Sequence, residues 1–244
     1  MRDYEKETAA RVEFIRGKLA EAGAAGVVYG NSGGKDSALA GILCKLACEN
    51  TVGICLPCES KRNYEEDMAD GLEVAKKFGI ETRVVDLTAA KQTLTSALEG
   101  VTELNSAATT NINPRLRMTT LYAISQSNNG RVVNTCNLSE DWVGYSTRYG
   151  DAAGDFSPLG GLTVQEVVAI GKVLGLPLEL VEKAPSDGLT GKTDEDNLGF
   201  TYAVLDKYIR TGVCEDEATK ALIDHKHVTN LFKLKPIPHF EPEI

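Results

Sequence analysis

Apolar residues along the chain fall into two patterns, short continuous runs and helical repeats. Continuous apolar runs are typical of strands that are buried on both faces of a parallel sheet. They occur at residues 26–30, 51–56, 82–87 and 131–136. Helical repeats occupy residues 36–49, 62–79, 88–99, 114 to about 128, 163–175, about 194–210 and 215–230. An amphipathic helix at the N-terminus carries Val12, Ile15, Leu19 and Ala22 on one stripe.

The alternation of strands and helices defines the expected fold class. It predicts an α/β fold, a doubly wound parallel sheet flanked by helices on both faces, formed by one domain over residues 1–244. Residues 105–114 are polar and predict a loop that ends where Pro114 starts a helix. Residues 183–197 predict a mobile loop that closes over the site. Because such sheets bind ligands beyond the carboxyl ends of their strands, we expect the site there.

Composition narrows the classes of partner. The chain is 42% hydrophobic and 25% charged, with a net charge of −9 and no block of Lys or Arg. An acidic chain without a basic stripe repels nucleic-acid phosphates, so we expect no nucleic-acid partner. No apolar run is long enough for a membrane span and no hydrophobic signal core is present, so we expect no membrane association and a cytoplasmic location.

Four of the six cysteines lie close together, at Cys44, Cys48, Cys55 and Cys58. The CxxC spacing of the last two raises a metal or iron–sulfur interpretation. The neighbouring positions are apolar, and cysteine in such a setting acts as a small hydrophobe. We therefore favour packing as the role of this cluster.

The strongest chemical signal is the loop that joins the first strand to the next helix. It consists of Gly30, Asn31, Ser32, Gly33, Gly34, Lys35, Asp36 and Ser37. Glycines let successive backbone N–H groups turn toward an anion, and the helix start adds partial positive charge. The serine hydroxyls can bond phosphate oxygens, and Asp36 is suited to hold a magnesium ion that bridges phosphates. The pattern predicts a nucleotide phosphate site.

This SGGKDS loop resembles the pyrophosphate loop of N-type ATP pyrophosphatases, which transfer AMP from ATP to an acceptor oxygen. Three further stretches resemble the NAD synthetase family of that group. They are residues 111–118 (NINPRLRM), 135–140 (TCNLSE) and 145–155 (YSTRYGDAAGD), followed by SPL and GLT in family order. The resemblance extends from about residue 10 to the C-terminus.

The resemblance implies an ammonia-dependent ligase that uses ATP as co-substrate and Mg²⁺ to convert deamido-NAD into NAD, AMP and pyrophosphate. It implies a homodimer, and the chain length suggests ammonia rather than a built-in glutaminase as the nitrogen source. The candidate catalytic residues are Asp36 and Lys35, and the candidate magnesium ligands are Asp36 and Glu140. The implied ATP contacts, besides the loop, are Thr135 and Ser186, and the implied deamido-NAD contacts are Arg115, Arg148, Asp155 and Lys233.

Several residues depart from the family pattern. Val164 stands where the family has a lysine that contacts ATP, and Phe232 stands where it often has histidine. Lys35 inside the loop is a candidate for the missing cation, and Asn113 and Pro114 also differ. These departures leave alternatives open: a divergent paralogue that binds nucleotide without the reaction, an enzyme that adenylates another carboxylate, or a tRNA-thiolating ATP pyrophosphatase.

Overall fold

The computed structural model describes residues 3–59, 67–183 and 193–240. Its strands are β1 (Gly26–Gly30), β2 (Thr51–Cys55), β3 (Glu81–Val84) and β4 (Gly130–Val132). Its helices are α1 (Tyr4–Ala22), α2 (Lys35–Ala47), α3 (Met68–Lys77), α4 (Thr88–Leu98), α5 (Ser106–Ser127), α6 (Leu138–Val143), α7 (Val164–Val173), α8 (Leu178–Val181), α9 (Asp194–Leu198), α10 (Tyr202–Thr211) and α11 (Glu217–Asn230), with a short 3₁₀ helix at Leu231–Lys233.

The four described strands form one parallel sheet in the order β3-β2-β1-β4. The chain therefore runs from β1 outward to β2 and β3, and then crosses back to place β4 on the other side of β1. The strand order reverses between β1 and β4, which is where doubly wound sheets hold their ligands. The expected fold class is confirmed.

Separate apolar clusters cover the two faces of the sheet. Helices α1, α2 and α7 pack on one face, where the fully buried leucines include Leu39 and Leu43 of α2. Helix α5 covers the other face, with Met118 and Leu121 against Val28 and Val132. Burial of each such side chain contributes about 1.5–3 kcal/mol, so these contacts fix the ends of β1 and β4. A third cluster joins α6, α10 and α11.

The polar stretch at residues 105–114 is helical, and its prediction as a loop was wrong. Helix α5 begins at Ser106 because the Asn105 side chain accepts a hydrogen bond from the Ala108 amide at 2.9 Å. Pro114 lies inside this helix instead of starting it. Since proline has no N–H, the carbonyl of Thr110 loses its usual helical donor at this point.

Other boundaries also differ from the predicted ones. The predicted helix over 194–210 is split into α9 and α10, because Gly199 adopts a left-handed φ of +86° and Thr201 caps a new helix. Strand β4 ends at Val132, and the following residue, Val133, instead bridges to Phe156. Strand β3 ends at Val84, since the Asp86 side chain turns the chain into α4 by accepting the Thr88 amide. No helix in the described part of the chain is long and apolar enough to cross a membrane.

Candidate active site

The phosphate loop is held in shape by its own side chains. The hydroxyl groups of Ser32 and Ser37 lie 3.0 Å apart, and the Ser37 hydroxyl donates to the Gly34 carbonyl at 3.0 Å. The Asn31 side chain accepts from the Gly33 amide at 3.3 Å and donates to the Gly71 carbonyl of α3 at 3.0 Å. Helix α2 starts directly after Gly34, so its N-terminal amides face the same space.

Glycine is required at residue 33 for two reasons. Its φ of +79° lies in the left-handed region, and a Cβ there would lie 1.8 Å from the Asp67 carbonyl oxygen. The loop is therefore pressed against the residue that precedes α3.

Two carboxylates meet beside the loop through Asn137, which is fully buried. Its side chain donates to Asp36 at 2.9 Å, and its carbonyl oxygen caps α6 by accepting the Ser139 and Glu140 amides. The Glu140 side chain in turn accepts from the Asn137 amide at 3.0 Å, which completes a capping box. Asn137 thus ties α2 to α6.

The Asp36 and Glu140 carboxylates repel each other. Burial and the neighbouring Asp36 carboxylate raise the pKa of Glu140 well above its ordinary value, although the Asn137 amide and Lys35 act in the opposite direction. The Lys35 ammonium lies 3.7 Å from Asp36 in a side chain that is only 6% exposed. Within the described residues no group of three or more His, Cys, Asp or Glu side chains forms a metal cage. Two carboxylates together with phosphate oxygens nevertheless form the oxygen-rich set that magnesium prefers.

Lys35, at the start of α2, and Val164, at the start of α7, lie in different parts of the protein. Val164 starts α7 and is buried in the cluster of α6, α10 and α11, so its side chain does not replace a cation. Its amide donates to the Ser139 hydroxyl at 3.1 Å, and the Ser139 hydroxyl donates to Asp206 at 2.5 Å. Lys35 therefore supplies a buried ammonium on the α2 side of the site, next to Asp36.

One cavity of about 490 Å³ opens beside the loop at the switch point between β1 and β4. Its lining combines the phosphate loop (Gly30, Ser32), the α5 residues Thr110, Asn111, Pro114, Arg117, Met118 and Leu121, the post-β4 residues Val133, Thr135 and Glu140, the turn residues Gly144 to Thr147 and Asp151, and the C-terminal residues Asp194 and Lys233. Polar groups from elements far apart in sequence converge on one concave surface, which is typical of a small-molecule site.

The residues predicted to contact deamido-NAD do not all lie at the cavity. Lys233 lines the cavity, where its ammonium donates to the carbonyls of Gly144 and Ser146 at 2.7 and 3.1 Å. Asp155 instead faces the edge of β4, where its carboxylate accepts the Val132 amide at 2.7 Å.

The two predicted arginines lie side by side at the protein surface. The Arg115 Nε group donates to the Arg148 carbonyl at 3.3 Å. The Arg148 guanidinium lies over the rings of Tyr149 and Phe232, 5.0 and 5.6 Å from their centroids. Neither arginine is among the described residues that line the cavity. Ser186, predicted to contact ATP, lies outside the described residues.

Several residues of the site were not found from the sequence. Asn137 could have been found, because Asn-x-x-Glu directly after a strand is the spacing of a capping box. Asp194 lies in the cavity and raises the pKa of Glu140, and the Tyr202 hydroxyl is buried without a hydrogen-bond partner in the described part of the protein.

Burial and the acids Glu140 and Asp151 raise the pKa of the Cys136 thiol, which makes this cysteine a poor nucleophile.

The fold and the site together define an α/β protein of the adenine nucleotide alpha hydrolase-like class. A parallel sheet, a glycine–serine loop at the end of β1 and a cavity at the switch point are its components.

Comparisons with known proteins identify the family. The sequence profile of NAD synthase matches residues 7–238. An NH(3)-dependent NAD(+) synthetase from Carboxydothermus hydrogenoformans is 41% identical over 91% of this chain and 90% of its own. A solved NMN synthetase from Francisella tularensis superimposes with a TM-score of 0.92 at 30% identity, covering 100% of both chains. An NH3-dependent NAD synthetase from Campylobacter jejuni gives a TM-score of 0.80 at 29% identity, over 99% of this chain and 100% of its own. The chain belongs to the NAD synthase family.

Proposed function

We propose that the chain is a cytoplasmic ligase that amidates deamido-NAD with ammonia at the expense of ATP, producing NAD, AMP and pyrophosphate. Its membership of the NAD synthase family and its 41% identity to an NH(3)-dependent NAD(+) synthetase support this reaction. The observation that carries the proposal is that one cavity joins the phosphate loop, Glu140 and Lys233. A nucleotide phosphate chain and an anionic acceptor can therefore meet in it.

The reaction proceeds in two steps. The acceptor carboxylate attacks the α-phosphorus of ATP, which forms an acyl–adenylate bond and breaks the bond to pyrophosphate. Ammonia then attacks the acyl carbon, and AMP leaves with the bonding electron pair while a proton is released. The chain binds and orients the reactants and neutralises charge, and these effects account for catalysis without a protein nucleophile.

Each part of the site has a proposed role. The loop amides and the hydroxyls of Ser32 and Ser37 bind the phosphates, and the Lys35 ammonium neutralises charge at the start of α2. Burial and repulsion by Asp36 raise the pKa of Glu140, and Asp36 and Glu140 would hold magnesium because a bound cation would offset both effects. When bound, magnesium supplies charge neutralisation at the phosphates. Thr135 and Ser186 are proposed ATP contacts, and Arg115, Arg148, Asp155 and Lys233 are proposed acceptor contacts.

A second acceptor is supported by one specific observation. At nearly equal sequence identity, the chain superimposes better on the NMN synthetase than on the Campylobacter NAD synthetase, with TM-scores of 0.92 and 0.80. The amide NMN corresponds to the acid nicotinate mononucleotide, which presents the same pyridine carboxylate without the adenylate half. Phe232, which replaces a family histidine, lies beside the proposed acceptor contacts Arg148 and Lys233. The candidate activity is thus amidation of nicotinate mononucleotide by the same chemistry.

Pyrophosphate release with ATP, Mg²⁺ and ammonium distinguishes these possibilities. The purified protein is assayed with deamido-NAD, with nicotinate mononucleotide and without an acceptor. A higher kcat/KM for deamido-NAD, with NAD and AMP formed in equal amounts, supports the first function. A higher value for the mononucleotide supports the second. If neither acceptor stimulates release while ATP still binds, both are refuted in favour of a nucleotide-binding paralogue or another carboxylate.

We also propose that the protein forms a homodimer through α4, α5 and the free edge of β3. Helix α4 buries only Lys91, and exposed apolar side chains at Leu94, Val84 and Tyr122 lie on these elements. A second copy would cover exposed apolar side chains of these elements. Light scattering is expected to show a dimer that Leu94→Glu dissociates, whereas Leu178→Glu on α8 leaves it intact. A monomeric wild-type protein would contradict the proposal.

A further inference from the structure

The first turn of α3 forms a second wall of the phosphate loop. The Asp67 carbonyl presses against Gly33, where no Cβ fits, and the Gly71 carbonyl accepts the side-chain amide of Asn31 at 3.0 Å. These two contacts, four residues apart, fix one end of α3 against the loop. Any displacement of this turn therefore moves the amides that face the phosphate site.

This turn also carries negative charge next to an anion site. Asp67 and Asp70 are three residues apart, which places both carboxylates on the same side of the helix start. The proposed ATP phosphates are anionic, and the chain as a whole has a net charge of −9. Carboxylates that are not neutralised at this position would repel the phosphates.

Lys183, which follows α8 near its end, forms ion pairs with both carboxylates, and Arg117 also interacts electrostatically with Asp67. The Lys183 ammonium lies 3.2 Å from Asp67 and 2.6 Å from Asp70, across more than a hundred residues of sequence. The side chains of Lys183 and Asp67 are 30% and 16% exposed, so water screens this pair only in part. Although burial favours the neutral amine, the hydrogen bonds that Lys183 donates to Asp70 and Asp67 raise its pKa. The ammonium therefore stays charged at neutral pH.

We propose that Lys183 is a positioning residue for ATP, which neutralises Asp67 and Asp70 and holds the first turn of α3 against the phosphate loop. The inference rests on the proposed function, because it takes the loop as the ATP site. Its contribution is electrostatic and geometric, and Lys183 is not among the described residues that line the cavity.

The chain offers a matched control in a neighbouring ion pair. Lys172 lies 3.0 Å from Glu182, and these two side chains are 45% and 62% exposed. Exposed pairs of this kind contribute little, and this pair does not contact the loop. Lys172→Met therefore reports the effect of removing a surface lysine from the same part of the chain.

The test measures the ATP dissociation constant by calorimetry, together with kcat and the KM values of both substrates. Lys183→Met is expected to weaken ATP binding about tenfold, with a smaller change in kcat and in the acceptor KM. Lys172→Met is expected to match the wild type. Adding Asp67→Asn and Asp70→Asn to Lys183→Met is expected to restore most of the ATP affinity, because the repelling charges are gone. A merely structural lysine would not show this rescue.

Three outcomes overturn the inference: unchanged ATP affinity in Lys183→Met, an equal loss in Lys172→Met, or no rescue in the triple variant. Failure of the proposed function gives a different result, since wild-type protein would then release no pyrophosphate with either acceptor, even where ATP still binds. A thermal melt of each variant identifies any that fails to fold. In that case Lys183→Gln replaces Lys183→Met, with the same expected loss and the same expected rescue.

Discussion

Substitution of Gly33 by alanine tests the contact between the phosphate loop and α3. Two effects add at this position. The φ of +79° disfavours any residue with a Cβ by about 1 kcal/mol. The new Cβ would lie 1.8 Å from the Asp67 carbonyl oxygen, whereas real Cβ atoms keep 3.0 Å or more. The backbone must therefore move by about 1 Å, which lowers the free energy of unfolding by about a further 1–3 kcal/mol.

Gly212 separates these two effects. It ends α10 with a φ of +71°, and a Cβ there would meet nothing within 4 Å. Gly212→Ala thus measures left-handed strain alone, about 1 kcal/mol. The expected loss for Gly33→Ala is about 2–4 kcal/mol, read from urea unfolding curves with unchanged slopes.

Gly33→Ala is also expected to impair function. A displacement of about 1 Å in the loop amides is expected to lower kcat/KM for ATP by about a hundredfold. Gly212→Ala is expected to keep the wild-type value. If Gly33→Ala loses no more stability than Gly212→Ala, or retains its kcat/KM for ATP, the packing of the loop against Asp67 does not position the phosphates.

The remaining predictions concern the supports of the site. Asn137→Ala removes the cap of α6 and the hydrogen bond to Asp36, and calorimetry is expected to show a loss of about 2–4 kcal/mol in stability and weaker Mg²⁺ binding. Gly41→Ala places a Cβ 2.4 Å from the ring of Tyr29, so a loss of about 1–3 kcal/mol is expected, partly recovered by adding Tyr29→Leu. Asp206→Asn leaves one acceptor oxygen for two donors, the Ser139 hydroxyl of α6 and the Gln165 amide of α7. The expected loss in the free energy of unfolding is about 1–3 kcal/mol. Burial raises the pKa of Asp206, so the wild type gains stability as the pH falls through that raised pKa, and the deficit of Asp206→Asn should grow as the pH falls toward the ordinary aspartate pKa of about 3.9.

The parts of the fold that could be predicted depend on local pattern. Continuous apolar runs predicted strands at or next to all four described strands, but the expected burial on both faces was wrong for β3, which lies at the edge of the sheet and is largely exposed. The phosphate loop was equally readable, because only glycine and small polar residues allow a strand to turn into a helix around an anion. The composition of residues 105–114 misled the prediction, since Asn105 caps a helix that tolerates Pro114 in its interior.

The parts that could not be predicted depend on contacts between distant residues. The hydrogen bond from Asn137 to Asp36 joins residues 101 apart in sequence, and no local pattern marks it. The ion pairs of Lys183 with Asp67 and Asp70 span 116 and 113 residues. The roles of Arg115 and Arg148 remain predictions, because their pairing at the surface says nothing of the ligand they face.

Transfer of a heavy-oxygen label tests most directly whether the chain activates a carboxylate by adenylation. The preferred acceptor is prepared with both carboxylate oxygens labelled and is incubated with the enzyme, ATP, Mg²⁺ and ammonium. Mass spectrometry of the products is expected to show one labelled oxygen in AMP, one in the amide product, and none in pyrophosphate. Label in a released phosphate, or AMP without label, would contradict an acyl-adenylate intermediate and with it the proposed role of the site.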